Sequence, residues 1–591
     1  MARITLLTIS MLLVVNSSFV WSAAVIASCS NSCGPAPAVK IQDGCLCGTR
    51  MNGLDKGPFE AFLGIPFAKP PVGALRFANP VRNDPWSGVY NASFPRNMCL
   101  QKNDFLPGAT VQGTEDCLYL NVYRPGSIER TLPVMVFIHG GGYIAGSAHP
   151  ALAGPEKFMD TRKVVLVTLQ YRLGALGFLS TGDKAAPGNF GLKDQSMALR
   201  WVQENIRQFK GRPDQVTIFG QSSGASSCQL HMMSNLSKNL FSKAILQSGS
   251  ALSYWNQPYG DPLELARKQV VAVGISSARV ARMSTVQLVE VLRDVNANLL
   301  VSSVDKLKVL GVQPVILYRP VVESFVNEST FLSDNPKVLW AKGRYHKVPW
   351  MTGFLPNEGA AFSLGILSNS TFLEALIENA ATYVPMMAAQ PASVASLLNR
   401  RFFGGVPINS TNADGLSKMI TESAFVYPMM NSVQQHLANG YNDRAPVALY
   451  YFNFKGRYSY AVLYTGKPPT KDYGVCHGDD LLYLFAQPVI FPDFSRDSPE
   501  AEMSRDLVHM FTRFAIKGNQ DLVGKALERC NCHTAVNDSL KLPTIVEFTN
   551  SDNSYDLVKT DYVHEGDAVS NALKNILSWW SNLEKSVGSA A

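Results

Sequence analysis

The run Val216-Thr217-Ile218-Phe219 is β-branched and aromatic, and it breaks at Gly220-Gln221-Ser222-Ser223-Gly224. Glycines flanking a serine in this way suit a strand that turns straight into a helix, where side chains have no room. Such a turn lifts the Ser222 Oγ clear of the backbone, where an ester carbonyl and a base can both reach it. A serine is a poor nucleophile until an imidazole takes its proton. Gly-x-Ser-x-Gly also arises by chance in a chain rich in these residues, so it counts only beside an acid, a base and an oxyanion cradle.

His477 is the best base. It lies in the turn-rich stretch Gly474-Val475-Cys476-His477-Gly478-Asp479-Asp480. A lone histidine is more often structural than catalytic. Glu358, in Pro356-Asn357-Glu358-Gly359, follows a strand-like run and could hold the imidazole by its far nitrogen. Taken alone it is a solvated loop carboxylate. Ser222, Glu358 and His477 nevertheless stand in the nucleophile–acid–base order of α/β-hydrolases, and the joint agreement outweighs each member. The nine histidines show no metal-site spacing, so a metal-assisted hydrolase is not expected, and acyl transfer through a serine needs no cofactor.

The cradle is His139-Gly140-Gly141-Gly142, placed directly after the apolar run Leu132 to Ile138. Consecutive glycines let backbone N–H groups point into a cleft. A dinucleotide-binding reading competes, because Gly140, Gly142 and Ala145 match GxGxxA and Asp160 stands at the right distance. In that motif, however, the acid follows the second strand, whereas Asp160 precedes the run Val164 to Leu169. The oxyanion reading is the better one.

These groups need a scaffold. Cys117 to Tyr123, Leu132 to Ile138, Val164 to Leu169, Ala244 to Gln247, Val348 to Gly353 and Val447 to Phe452 are short apolar runs of strand length. If Val348 to Gly353 is a strand, Pro349 belongs near its start. Leu192, Leu199, Val202 and Ile206 recur at helical spacing. A later helix starts at Ser498-Pro499, buries Met503, Leu507, Met510, Phe511 and Phe514, and ends at Gly518. Ala572, Ile576, Trp580 and Leu583 suggest a closing helix. Strands alternating with helices predict an α/β fold with a large, mostly parallel central sheet flanked by helices, with long loop and helix insertions.

Here the chain resembles the type-B carboxylesterases, the cholinesterase-related family of α/β-hydrolases, over nearly its whole length. Matching stretches are Leu75-Arg76-Phe77, Glu115 to Asn121, His139 to Gly142, Gly188-Asn189, Asp194-Gln195, the Ser222 turn, Asn357-Glu358-Gly359 and Gly474-x-x-His477. The resemblance implies Ser222 as nucleophile, His477 as base and Glu358 as acid. It implies oxyanion donors at the N–H groups of Gly141, Gly142 and Ser223, and ion pairs Arg76–Glu115 and Arg172–Asp194. It also implies a disulfide joining Cys99 to Cys117. Within the family, insect juvenile hormone esterases are similar in having Gln at position 221 and Gly474-x-x-His477-x-x-Asp480. That likeness implies hydrolysis of a sesquiterpenoid methyl ester to acid and methanol. Ser223 departs from the alanine of that group; its hydroxyl needs a partner beside the acyl group and could alter substrate fit. Alternatives are a broad carboxylesterase for odorant, dietary or xenobiotic esters and, from another class, a non-catalytic cholinesterase-like adhesion or binding protein. Acetylcholine fits poorly, because Leu100 to Asp116 contains no Trp to receive the choline cation.

The 591 residues are 46% hydrophobic and 17% charged, with a formal charge of +7. That charge is spread thinly, which excludes a basic nucleic-acid face. Arg3 followed by the mostly apolar run Ile4 to Val15 and small residues to Ala24 reads as a secretory signal over residues 1–24. No later run reaches spanning length, so the expected product is a secreted, extracellular protein without a membrane anchor, acting on a small apolar ester. Residues 25–591 read as a single carboxylesterase-type domain with a Cys-rich start. Ten cysteines and sequons at Asn91, Asn235, Asn327, Asn369, Asn409 and Asn537 fit that compartment. Pairing among Cys29, Cys33, Cys45 and Cys47 is open, as are the partners of Cys530 and Cys532. Cys228 reads as a buried helix thiol.

Overall fold

The computed structural model describes residues 29–126, 128–257, 260–310, 313–519, 545–551, 554–560 and 568–588. The leader, Cys530, Cys532 and Asn537 lie outside the described residues.

The sheet grows from short apolar runs. Its strands are β1 (Thr49–Asn52), β2 (Pro58–Pro66), β3 (Tyr119–Pro125), β4 (Leu132–Ile138), β5 (Val165–Leu169), β6 (Gly211–Gln221) and β7 (Lys243–Gln247), then β8 (Trp350–Phe354), β9 (Val447–Phe452), β10 (Ile545–Ser551) and β11 (Ser554–Thr560). They lie in the order 11-10-9-8-7-6-4-5-3-2-1. From β10 to β5 every neighbour runs parallel, and the antiparallel pairings fall at the two edges. The fold is that of an α/β-hydrolase.

Alternation along the strands divides the core in two. Val134, Val136 and Ile138 of β4 face one apolar cluster, while Met135 and Phe137 face the other. Both faces of β4 are therefore buried, which is why it reads as an unbroken apolar run rather than an alternating one. Helix α1 (Phe190–Asn205) and helix α2 (Ser223–Met233) place Leu192, Leu199 and Leu230 in the first cluster. Helix α3 (Pro499–Lys517) supplies Met503, Leu507 and Phe511 to the second. Its N-cap is Ser498, whose side chain accepts from the Ala501 N–H.

Several boundaries shift from the sequence reading. β8 starts at Trp350 because Pro349, lacking an N–H, stops just outside the ladder. The run from Cys117 enters the sheet only at Tyr119. In the closing helix α4 (Ala568–Gly588), Ala572 is exposed and Ile576 only half-buried. The buried stripe is Leu573, Leu577, Trp580 and Leu583. A small residue carries too little apolar area to decide which face turns inward.

Register places the site. Ile138 lies beside Gly220, Gln221 beside Gln247, and Gln247 beside Gly353. The segments after these strand ends therefore emerge side by side at the carboxyl end of the central strands, where open α/β sheets bind their ligands.

Candidate active site

Ser222 ends β6 and precedes α2 with φ 58° and ψ −122°, a strained conformation for a residue with a side chain. Packing imposes the turn. A Cβ on Gly220 would lie 2.5 Å from the Ile138 carbonyl oxygen, and one on Gly224 would overlap the same atom. The Ser222 N–H is tied to the Gln247 carbonyl at 2.7 Å.

The segments carrying Glu358 and His477 are joined by their backbones. Asn357 donates to Val475 O at 3.1 Å, and His477 donates back to Asn357 O at 3.3 Å. Across this pairing the His477 Nδ1–H donates to Glu358 Oε2 at 2.5 Å. Glu358 is fully buried, and its other oxygen accepts the Leu355 N–H at 2.8 Å. With Nδ1 protonated, Nε2 is the acceptor, and the Gln221 amide donates to it at 3.0 Å. Ser222 Oγ makes no hydrogen bond among the described residues. The resting imidazole is thus held by Gln221 on one side and Glu358 on the other, with Ser222 next in the chain.

The glycine-rich segment folds over the serine. Gly141 and Gly142 have φ of 99° and 62°, a region that glycine enters without a Cβ penalty. A Cβ on Gly140 would lie 3.1 Å from Ser222 Cβ. His139 is buried beneath, stacked on Tyr171 at 4.3 Å, and burial lowers its pKa to about 4. It stays neutral and structural. The Ser223 hydroxyl accepts the Tyr143 N–H at 3.2 Å, bracing the elbow against the glycine segment. Asp160 accepts the N–H groups of Asp55 and Lys56, which is a turn-holding role.

Asp479 and Asp480 sit behind His477, both buried. Asp479 accepts from Cys476 N, Tyr460 N and Ser459 Oγ, yet burial raises its pKa to about 7. Asp480 accepts from Gln247 Nε2 at 2.8 Å and Tyr450 Oη at 3.3 Å, and burial raises its pKa to about 6. The thiols of Cys228 and Cys476 are unpaired and buried, and burial pushes both up, so neither is a thiolate.

Around the site, Arg76 pairs with Glu115 at 2.5 Å and Arg172 with Asp194 at 2.6 Å. Disulfides join Cys99 to Cys117, Cys29 to Cys45 and Cys33 to Cys47. Asn91, Asn235, Asn327, Asn369 and Asn409 are all exposed.

The family model described as "Carboxylesterase family" matches residues 35–555. The chain belongs to the carboxylesterase family. Juvenile hormone esterase of Tribolium castaneum is 38% identical, over 82% of this carboxylesterase and 84% of that protein. Esterase FE4 of Myzus persicae is 35% identical over 77% and 80%. Pyrethroid hydrolase Ces2a of Mus musculus is 34% identical over 79% and 81%. Among solved structures, juvenile hormone esterase from Manduca sexta with OTFP covalently attached superposes with a TM-score of 0.77. That match has 26% identity and covers 93% of this chain and 100% of that one. This carboxylesterase is accordingly a carboxylic ester hydrolase of the serine-hydrolase type.

Sequence reasoning missed Phe105, Ile316 and Phe425. A Cβ on Gly142 would lie 2.9 Å from the Phe105 ring and 3.0 Å from Ile316 Cδ1. Phe425 sits 4.8 Å from the imidazole of His477, on a π-helical turn (Thr421–Val426). Such a turn is frequent at functional sites, but no local pattern in the sequence marks it. Among the described residues no single helix is long and apolar enough to cross a membrane.

Proposed function

We propose that this carboxylesterase hydrolyses the methyl ester of a sesquiterpenoid hormone, with Ser222 as nucleophile, His477 as base and Glu358 as the carboxylate that orients it. The observation that carries the chemistry is the buried Glu358–His477 pair, 2.5 Å apart and next to the strained serine turn. Ser222 Oγ attacks the ester carbonyl as its proton passes to His477 Nε2. Only one lone pair is available there, so the Gln221 N–H yields its place as the serine engages. The oxyanion is received by the N–H groups of Gly141, Gly142 and Ser223, each contributing about 3 kcal/mol to the transition state. His477 then protonates the leaving methanol, and water repeats the cycle to release the acid.

The substrate choice rests on Gln221 and on the likeness to two juvenile hormone esterases. The Ser223 hydroxyl accepts the Tyr143 N–H, which turns one of its lone pairs toward the glycine segment. A second reading is a broad carboxylesterase, favoured by the similar identity to Esterase FE4 and Pyrethroid hydrolase Ces2a. The comparisons lend no support to a non-catalytic adhesion protein. Secretion, a single domain over residues 25–591 and glycosylation at the exposed sequons complete the proposal.

The decisive measurement compares kcat/KM for juvenile hormone with that for a short-acyl naphthyl ester. A hormone value below the naphthyl value favours the broad enzyme. A phosphonate probe should leave one adduct, on the peptide containing Ser222; an adduct elsewhere would remove Ser222 from the mechanism.

A further inference from the structure

Outside the reacting groups lies a cavity of about 530 Å³, whose walls include Phe105, Phe362, Lys102, Asp104, Asp305 and Lys308. Its aromatic wall runs inward to the site. Phe105 meets Phe362 edge-on at 5.4 Å, Phe362 lies 5.9 Å from Phe425, and Phe425 lies 4.8 Å from His477. Phe105 also packs over Gly142, so one ring lines this cavity and touches the glycine cradle.

Phe105 belongs to the loop closed by Cys99–Cys117, and a four-charge cluster holds that loop down. The Lys308 ammonium lies 2.7 Å from Asp104 and 2.7 Å from Asp305, with its side chain only 2% exposed. Lys102 completes the ring against Asp305 and against Asp104 at 3.5 Å. The carboxylates thereby hold the Lys102 ammonium charged to higher pH, and the two lysines draw Asp305 downward. Exposed ion pairs contribute little. Here, however, Lys308 is buried between two carboxylates, and removing it leaves them facing each other with one partner. Asp104 is the chain neighbour of Phe105, so the cluster fixes where the ring stands.

We propose that Phe105, latched by Lys308 through Asp104, sets the width of ester that enters. It admits slender, apolar chains and turns away broad ones. This rests on the reading of Ser222, His477 and Glu358 as the reacting groups. The four charges of the cluster neutralise one another, Lys467 adds one further cation to the lining, and the aromatic walls favour an apolar chain. Phe105 is the specificity-determining residue and Lys308 a positioning residue that acts through it.

The test uses the full enzyme, with rates expressed per phosphonate-titrated site, on methyl decanoate and α-naphthyl isobutyrate. Phe105→Ala should raise the naphthyl-to-decanoate ratio of kcat/KM by about tenfold, chiefly through KM for the naphthyl ester. Lys308→Met should move the ratio the same way through KM, Lys308→Arg should restore it, and Phe105→Ala with Lys308→Met should go no further than Phe105→Ala. An unchanged ratio in Phe105→Ala overturns the proposal. A Lys308→Met enzyme that loses thermal stability but keeps the parent ratio overturns the latch. If the phosphonate fails to label Ser222, the triad reading falls while the gate is still judged. Equilibrium dialysis of 2-acetonaphthone against 2-undecanone must then show the same shift in the Phe105→Ala affinity ratio, and no shift sinks it.

Discussion

The Gln221 amide donates to His477 Nε2 across 3.0 Å, so the residue beside Ser222, rather than Ser222 itself, holds the resting imidazole. Because an amide is neutral, it steadies the ring without favouring the imidazolium. Gln221→Glu places a carboxylate there instead. A negative charge at that distance favours the protonated ring, and a protonated Nε2 cannot take the serine proton. The acid limb of the kcat/KM profile should therefore move to higher pH. A profile superimposable on the parent would show that Gln221 does not hold the ring in solution.

Glu358 fixes the other face of that ring. Glu358→Gln keeps the volume but can offer an N–H to Nδ1, which then turns its own proton to Nε2 and leaves no base. By the behaviour of related triads, kcat should fall about 10³- to 10⁴-fold with KM little changed. A loss below tenfold in steady-state assays would demote Glu358 to a structural role.

Ser223→Ala removes the acceptor that braces Tyr143. The buried N–H of Tyr143 then lacks its partner, at a cost of about 1–3 kcal/mol, which thermal unfolding should register as a lowered Tm. The Ser223 backbone N–H remains, so kcat should fall less than tenfold. A fall of two orders of magnitude would mean that the hydroxyl touches the reacting atoms.

The loop that carries Phe105 is closed by Cys99–Cys117, 18 residues apart. Replacing both cysteines by serine frees that loop in the unfolded chain and should lower stability by about 3 kcal/mol. Denaturant unfolding reads this directly. The naphthyl ester should gain relative to methyl decanoate as the loop loosens, and an unaltered preference would separate the disulfide from the gate.

Asp480 makes stability depend on pH. Its carboxyl is raised to about 6 in the folded chain by burial, against an ordinary value near 3.8 when unfolded. Between those values the folded state binds more protons than the unfolded one, so stability falls as pH rises through the window. Above about pH 6 the carboxylate is buried and charged, a burden of order 3 kcal/mol. Asp480→Asn can still accept from Gln247 and Tyr450 without that charge. Its Tm advantage over the parent should grow from about pH 4 to about pH 6 and then level off. A difference that stays flat across this range would place the proton elsewhere, with Asp479 the nearest candidate.

Local chemistry alone determined a good deal of this protein. Two glycines around Ser222, three after His139 and the apolar runs before them are dictated by sterics within a few residues, and the sheet follows from those runs. Glu358 and His477 were legible through their order in the chain and the family motifs around them, because a loop carboxylate and a loop histidine alone carry no sign of use. What folding decided is contact between remote segments. The backbone pairing of Asn357 with Val475 and His477, the Gln221 hold on the imidazole and the Ser223 brace all join positions far apart in sequence. So do the path from Phe105 to Phe425 and the Lys308 latch. Periodicity reports which side of an element is apolar, but not which distant side chain meets it. That meeting is set by packing across the whole sheet.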